Sequence, residues 1–181
     1  MMKTSFYSEE ELSDLGFRHV GKGCKISRNA CFYGRDEISI GDNVRIDDFC
    51  LLSGKITIGS NIHVAAYTAL YGNKYGILLE DYSGISARCT VYAAMDDFSG
   101  DFLIGPIHPE EKTRVTGGTV ILRKYAQIGA HSLVFPGVEI GEGCAIGACS
   151  LVRDSMKEWS ICFGVPARWK KDRSKKLLDL I

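Results

Sequence analysis

The sequence predicts an all-β prism in which short parallel strands wind into about six stacked coils, three strands to a coil. Three observations carry that prediction. Aliphatic residues recur at intervals of six over most of the chain. That period is neither the 3.6 of a helix nor the 2 of an extended strand, and it suits a chain that turns a corner after each short strand. The residue four places beyond most of these anchors is small. Glycine is abundant, at 20 of 181 residues, while proline numbers 4, so the glycine does not mark Pro-rich loops. A fixed repeat of this kind is the signature of a stacked architecture.

Taken in order, the anchors are Val20/Ile26/Phe32, Ile40/Ile46/Leu52, Ile58/Val64/Leu70, Leu79/Ile85/Val91, Leu122/Ile128/Val134 and Ile140/Ile146/Val152. Each triplet makes one coil with its anchors pointing inward. The small positions are Cys24, Ala30, Val44, Cys50, Thr68, Ser83, Cys89, Ala126, Ser132, Cys144 and Ser150. They fit a narrow interior that a second large side chain would overpack. At the ~4.8 Å strand spacing, six coils stand roughly 29 Å tall, and each coil contacts only its neighbours.

The chain divides into a cap over residues 1–19, a prism over 20–158 and a tail over 159–181. Ser8 with Glu11 three places on reads as a capping box, and Gly16 can end the helix after Leu15. Open solenoid ends need such caps. The repeat breaks twice: Leu70 to Leu79 is nine residues instead of six, and Val91 to Leu122 is 31. The second break leaves a long loop, 96–118, of a length that is usually functional. In the tail, Arg168, Lys170, Lys171, Arg173, Lys175 and Lys176 precede Leu177, Leu178, Leu180 and Ile181, which predicts a short amphipathic helix.

Composition narrows the function classes. Apolar residues make up 45% and charged residues 24%, an ordinary globular balance. Lys plus Arg equals Asp plus Glu at 22 each, so nothing points to nucleic acid or a membrane surface. No apolar run approaches the ~20 residues of a membrane span. Met1 to Asp14 lacks the apolar core of a signal peptide. Seven cysteines without a Cys-x-x-Cys pair suit a reduced, cytoplasmic chain.

Coil phase also sorts the outward residues into columns. One corner reads Cys31, Leu51, Ala69, Thr90, Leu133, Leu151, a mostly apolar strip of the kind monomers avoid exposing. We expect it to be a subunit interface. The face before it is small: Ala65, Ala66, Ala87, Gly129, Ala130, Gly147, Ala148. The corner opening that face reads Lys25, Arg45, His63, Gly84, Gln127, Ala145.

From about Val20 to Trp169 the repeat resembles the hexapeptide-repeat acyltransferases, whose fold is a left-handed parallel β-helix. The handedness is implied by the resemblance alone, since parallel crossovers are normally right-handed. Phe163-Gly164-Val165-Pro166-Ala167-Arg168 is similar to the Gly-x-Pro-Ala-basic ending of the family's sugar acetyltransferases. The resemblance implies a homotrimer with parallel axes and active sites between subunits, acetyl-CoA as co-substrate, and no metal. It implies that the pantetheine arm passes Gly129, Ala130, Gly147 and Ala148. The nucleotide phosphates would meet Arg168, Lys170 and Lys171, with Arg153 where galactoside-type relatives usually have Thr.

Acyl transfer needs a base for the attacking group and donors for the oxyanion. His63 is the first candidate base, at the edge of the small-residue face, with Tyr67, Tyr71 and Asn73 as acceptor contacts. His108 is the second, because His108-Pro109-Glu110-Glu111 is similar to the His-Pro…Pro-Glu-Glu run of maltose and galactoside acetyltransferases. By coil phase, however, the family's base position falls on Asp96, which is the third candidate. Asp97 could orient a histidine or bind the acceptor. The inward cysteines behave as small hydrophobes and are not nucleophiles. The expected reaction is O-acetylation of a sugar in polysaccharide or O-antigen assembly. The alternative is N-acetylation of a nucleotide-linked amino sugar, which the short segment before the repeat disfavours because relatives of that kind often carry an extra nucleotide-binding domain there. A γ-class carbonic anhydrase needs three zinc-binding histidines with a His-x4-His pair. Successive histidines here lie 44, 45 and 23 apart. A non-catalytic β-helix is disfavoured by the long loop and the Gly-x-Pro-Ala tail.

Overall fold

A computed structural model describes residues 5–180, and its strands stack with the register that the period of six demands. The column Lys25, Arg45, His63, Gly84, Gln127, Ala145 is a run of parallel-paired residues. So is the column Cys31, Leu51, Ala69, Thr90, Leu133, Leu151. Anchors of coils two to six are at most 3% exposed. A fully buried aliphatic side chain contributes about 1.5–3 kcal/mol, so the core grows by three such side chains with each coil.

The first coil is looser. Val20 and Phe32 are only partly buried, and the N-terminal segment closes over them. Helix Glu9–Asp14 has both reciprocal bonds of its capping box with Ser8 and buries Leu12. Phe17 meets Phe32 edge-on at 5.0 Å. Arg28 binds Glu11 at 2.5 Å. That bond and the Ser8 backbone amide hold the Glu11 carboxyl down to about 2.

The small inward slot is also a donor slot. Cys50 Sγ donates to the Ala65 carbonyl at 3.2 Å, Thr68 Oγ1 to Ser86 at 3.1 Å, Cys89 Sγ to Gly129 at 3.2 Å and Ser132 Oγ to Gly147 at 3.2 Å. In each case the acceptor is the residue just past an anchor of the next coil. Burial pushes the thiols of Cys50 and Cys144 up to about 11, which excludes them as nucleophiles near neutral pH.

The corners hold a feature that periodicity does not announce. Three residues after the anchors the chain turns through the left-handed region, even at Phe49, Tyr67, Tyr82, Arg88, Tyr125, His131 and Cys149, with φ between 56° and 63°. Such a conformation costs an L-residue roughly 1–2 kcal/mol. Several of these side chains stack on one another up two of the corners. Phe49 lies on Tyr67 at 4.9 Å, the Arg88 guanidinium sits 4.7 Å from the Tyr67 ring centre, and Tyr82 meets Tyr125 at 5.5 Å.

The prism runs past residue 158. Strand Ser160–Gly164 continues the stack in parallel on Ala145–Ile146, and Cys162 is buried. The chain then folds back antiparallel as Ala167–Asp172. The expected amphipathic helix from Arg168 is therefore first a strand, followed by a single 3-10 turn at Lys176–Leu180. The last coil exposes an unpaired edge, and a returning strand satisfies it where a helix would not.

Candidate functional site

The long loop leaves the prism as an antiparallel hairpin. Ala94, Met95 and Asp96 pair with Gly117, Thr116 and Val115. Beneath it, Tyr71 and Tyr92 lie parallel, centres 5.0 Å apart at 7°. They occupy the same place in successive coils, paired directly in register. Burial and the neighbouring Tyr71 raise the Tyr92 phenol. Together with Asn73, Asp96, Phe98 and Thr113 these rings enclose a mostly apolar cavity of about 520 Å³. Asp96 supplies its carboxylate. A flat pair of rings, an amide and one carboxylate suit a polar ring compound carrying an amine or hydroxyl.

Asp97 does not share this cavity. Its Oδ1 accepts the Ser99 amide at 2.7 Å, Arg114 stands 3.7 Å from Oδ2, and its backbone amide donates to the Arg114 carbonyl at 2.8 Å. The Ser99 hydrogen bonds lower its carboxyl. Asp97 thus braces the loop through these contacts. His108 is half-buried in the same loop and is not among the cavity's walls. Tyr67 stands on the corner ladder and is not among the cavity's walls.

His63 lies elsewhere on the prism. Its Nε2 is 2.7 Å from Asp47 Oδ2, and Arg45 Nε is 2.7 Å from Asp47 Oδ1. Burial raises the Asp47 carboxyl, but the bonds from His63 and Arg45 outweigh it and leave it below the usual range. Among the described residues, Nδ1 of His63 has no partner. A second cavity, about 300 Å³, is lined by His63, Gly84, Ser86 and Gln127. The first-choice histidine and the carboxylate at the family's base position therefore face different cavities of one chain.

The residues expected to hold coenzyme A divide. Gly129 and Gly147 are required by coil stacking: an added Cβ would stand 2.5 Å from the Ala148 amide nitrogen and 2.8 Å from Phe163 Cβ. Their missing side chains are filled by the next coil, not left open as a groove. Ala130 and Ala148 keep small surfaces facing outward. Arg168 donates to Asp154 at 2.8 Å, and Arg153 stands 3.8 Å from the same carboxylate. Lys170 lies over the Phe163 ring at 5.0 Å. Lys171 gathers with Arg173 and Lys176 around a groove of about 660 Å³ at the far end. Among the described residues no three His, Cys, Asp or Glu side chains are placed to hold a metal ion.

Sequence reasoning missed Tyr92, Ser86 and Asp47 as candidate site residues. Each follows an anchor directly, so reading the column one place past the anchors would have found them.

No family model matches the chain. It is 42% identical over 179 residues to dTDP-4-amino-4,6-dideoxy-D-glucose acyltransferase of Escherichia coli, covering 97% of this chain and 93% of that one. AntD, an N-acyltransferase from Bacillus cereus, superposes with a TM-score of 0.96 at 54% identity, over 99% of this chain and 96% of that chain. That form is a serine-to-cysteine mutant in complex with dTDP-4-amino-4,6-dideoxyglucose and coenzyme A. AntD in complex with dTDP and 3-hydroxybutyryl-CoA gives the same TM-score, 0.96, at 55% identity over 98% of this chain and 95% of that chain. A further AntD mutant replaces an aspartate ten positions beyond that serine.

Proposed function

Because the chain belongs to the hexapeptide-repeat acyltransferases, proteins of the left-handed parallel β-helix fold, we propose that it N-acylates a nucleotide-linked amino sugar, with a coenzyme A thioester as acyl donor. The acceptor of this reading is a dTDP-4-amino-4,6-dideoxyhexose. The observation that carries it is the near full-length similarity to a dTDP-4-amino-4,6-dideoxy-D-glucose acyltransferase and to an N-acyltransferase in complex with dTDP-4-amino-4,6-dideoxyglucose and coenzyme A.

This reading replaces the sugar hydroxyl that the sequence favoured. That preference rested on the short segment, residues 1–19, before the repeat. AntD, 96% of whose chain is matched, is in complex with dTDP-4-amino-4,6-dideoxyglucose and coenzyme A.

The cavity supports an amine acceptor. The amine nitrogen attacks the thioester carbon, the carbonyl becomes an oxyanion, and collapse expels the coenzyme A sulfur. The nitrogen loses one proton, the sulfur gains one, and an amide and a free thiol remain. We assign Asp96 to hold the amine and take its proton as the C–N bond forms. We assign the Ser86 hydroxyl as a donor near the reacting carbonyl. Ser86 and Asp96 are ten residues apart, as are the serine and aspartate replaced in AntD.

In this reading His63, held by Asp47, flanks Ser86 in the smaller cavity. The two cavities of one chain would be joined by their counterparts across a parallel homotrimer, with the apolar Leu51–Leu151 corner at the interface. Arg168, Lys170 and Lys171 would meet the coenzyme's phosphates. Soluble nucleotide sugars and coenzyme A thioesters would place the reaction in the cytoplasm.

The test is thiol release from acetyl-CoA and 3-hydroxybutyryl-CoA with dTDP-4-amino-4,6-dideoxyglucose, beside the 4-hydroxy sugar. Release with the amine alone is expected. Release with the hydroxyl sugar alone would restore O-acylation. Asp96→Asn should lower kcat by about 10²–10⁴-fold, the range of a general base.

A further inference from the structure

The two interruptions of the repeat touch each other. Strand Ala69–Leu79 pairs with Leu51–Ile58 through two register shifts, around Gly54. Its three extra residues are taken up between Tyr71 and Ile77. The bulge is tight: a Cβ on Gly72 would stand 2.2 Å from the Lys55 carbonyl oxygen, and Asn73 adopts φ 48° with its Oδ1 accepting the Lys74 amide at 2.6 Å.

This bulge presents Tyr75 to the root of the long loop. A Cβ on Gly117 would lie 2.4 Å from the Tyr75 ring and 2.5 Å from the Ala93 carbonyl oxygen. The Tyr75 carbonyl accepts the Thr119 hydroxyl at 2.8 Å. Gly117 is the strand partner of Ala94, two residues before Asp96. An isolated two-stranded hairpin is marginal in water, and this one has three paired residues per strand. It bounds a cavity on one side, so its orientation must come from what packs its root.

We propose that Tyr75 is a positioning residue: its ring, seated on Gly117, sets the angle of the hairpin and so the place of the Asp96 carboxylate. The three-residue excess in the third coil is then a brace for the loop. This rests on the reading of Asp96 as the group that meets the amine. A displacement of about 1 Å at a reacting group can cost up to about 10²-fold in rate.

The experiment is steady-state kinetics with the dTDP-amino sugar and an acyl-CoA. Tyr75→Ala should lower kcat by about tenfold to a hundredfold, with KM for the thioester unchanged. Tyr75→Phe keeps the ring and should keep the wild-type kcat. The decisive arm places Tyr75→Ala on Asp96→Asn. If Tyr75 acts through Asp96, the second substitution adds nothing. Wild-type kcat in Tyr75→Ala, or the same loss repeated on the Asp96→Asn background, overturns the proposal. Should Tyr75→Ala not fold, Gly117→Ala pushes the ring and hairpin apart from the other side and is read in the same way. Full turnover in Asp96→Asn alone would instead refute the role of Asp96, and this proposal with it.

Discussion

Thr68→Val tests the internal donor slot with little change of shape. Thr68 is fully buried, and its hydroxyl donates to the Ser86 carbonyl at 3.1 Å. No other donor to that carbonyl is seen among the described residues. Valine fills the same volume but leaves the carbonyl, in a part-buried place, without its donor. Such a loss costs about 1–3 kcal/mol. For a chain of this size each kcal/mol moves the midpoint by about 2–4 °C, so a fall of about 2–12 °C is expected. The assay is thermal melting by circular dichroism, with urea titration beside it. Thr68→Cys is the control, because Cys50 and Cys89 fill the same slot in this prism and donate to the equivalent carbonyls. It should lie closer to the wild type than Thr68→Val does. Equal stability of Thr68→Val and wild type would refute the donor-slot argument. Because the affected carbonyl belongs to Ser86, Thr68→Val should also reduce turnover on the amino-sugar acceptor.

The remaining predictions concern other parts of the prism. Iodoacetamide at pH 8 should label Cys149, which is exposed, and spare Cys50 and Cys144, whose thiols are buried and held up to about 11; mass spectrometry of the labelled peptides checks this, and labelling of Cys50 in the folded protein would contradict it. The Glu11 carboxyl is lowered from 4.5 to about 2 in the fold, so its contribution to stability is present above its unfolded value and is lost as the pH falls from about 4.5 toward 2. Melting of wild type and Glu11→Gln should therefore differ at pH 6 and converge at pH 2; a gap that widens in acid would reverse the sign. Gly129→Val forces a side chain into the next coil and should destabilise by about 1–3 kcal/mol or more, the usual cost of overpacking; a denaturation midpoint equal to wild type would show that the coils can part.

The columns were legible because register in a parallel prism is a matter of counting. One coil lies directly on the next, so residues of equal phase must pair, and Arg45, His63 and Gly84 do. The capping box was legible because Ser8 and Glu11 satisfy each other locally. The corners were less so. Phe49, Tyr67 and Arg88 carry no signal for a left-handed turn, since stacking on a neighbouring coil offsets a local penalty. Gly129 and Gly147 carry two demands at once, because smallness serves coil packing as well as ligand approach.

By itself the sequence determined the period, the inward and outward faces, the register of the columns and the two places where the repeat is broken. All of these follow from short-range spacing. Only the tertiary structure decided that the tail returns as a strand, that Asp97 turns into the loop while Asp96 lines a cavity, and that the two interruptions brace one another. Those outcomes depend on contacts between segments whose spacing follows no repeat, such as Tyr75 on Gly117, so no count along the chain could have placed them.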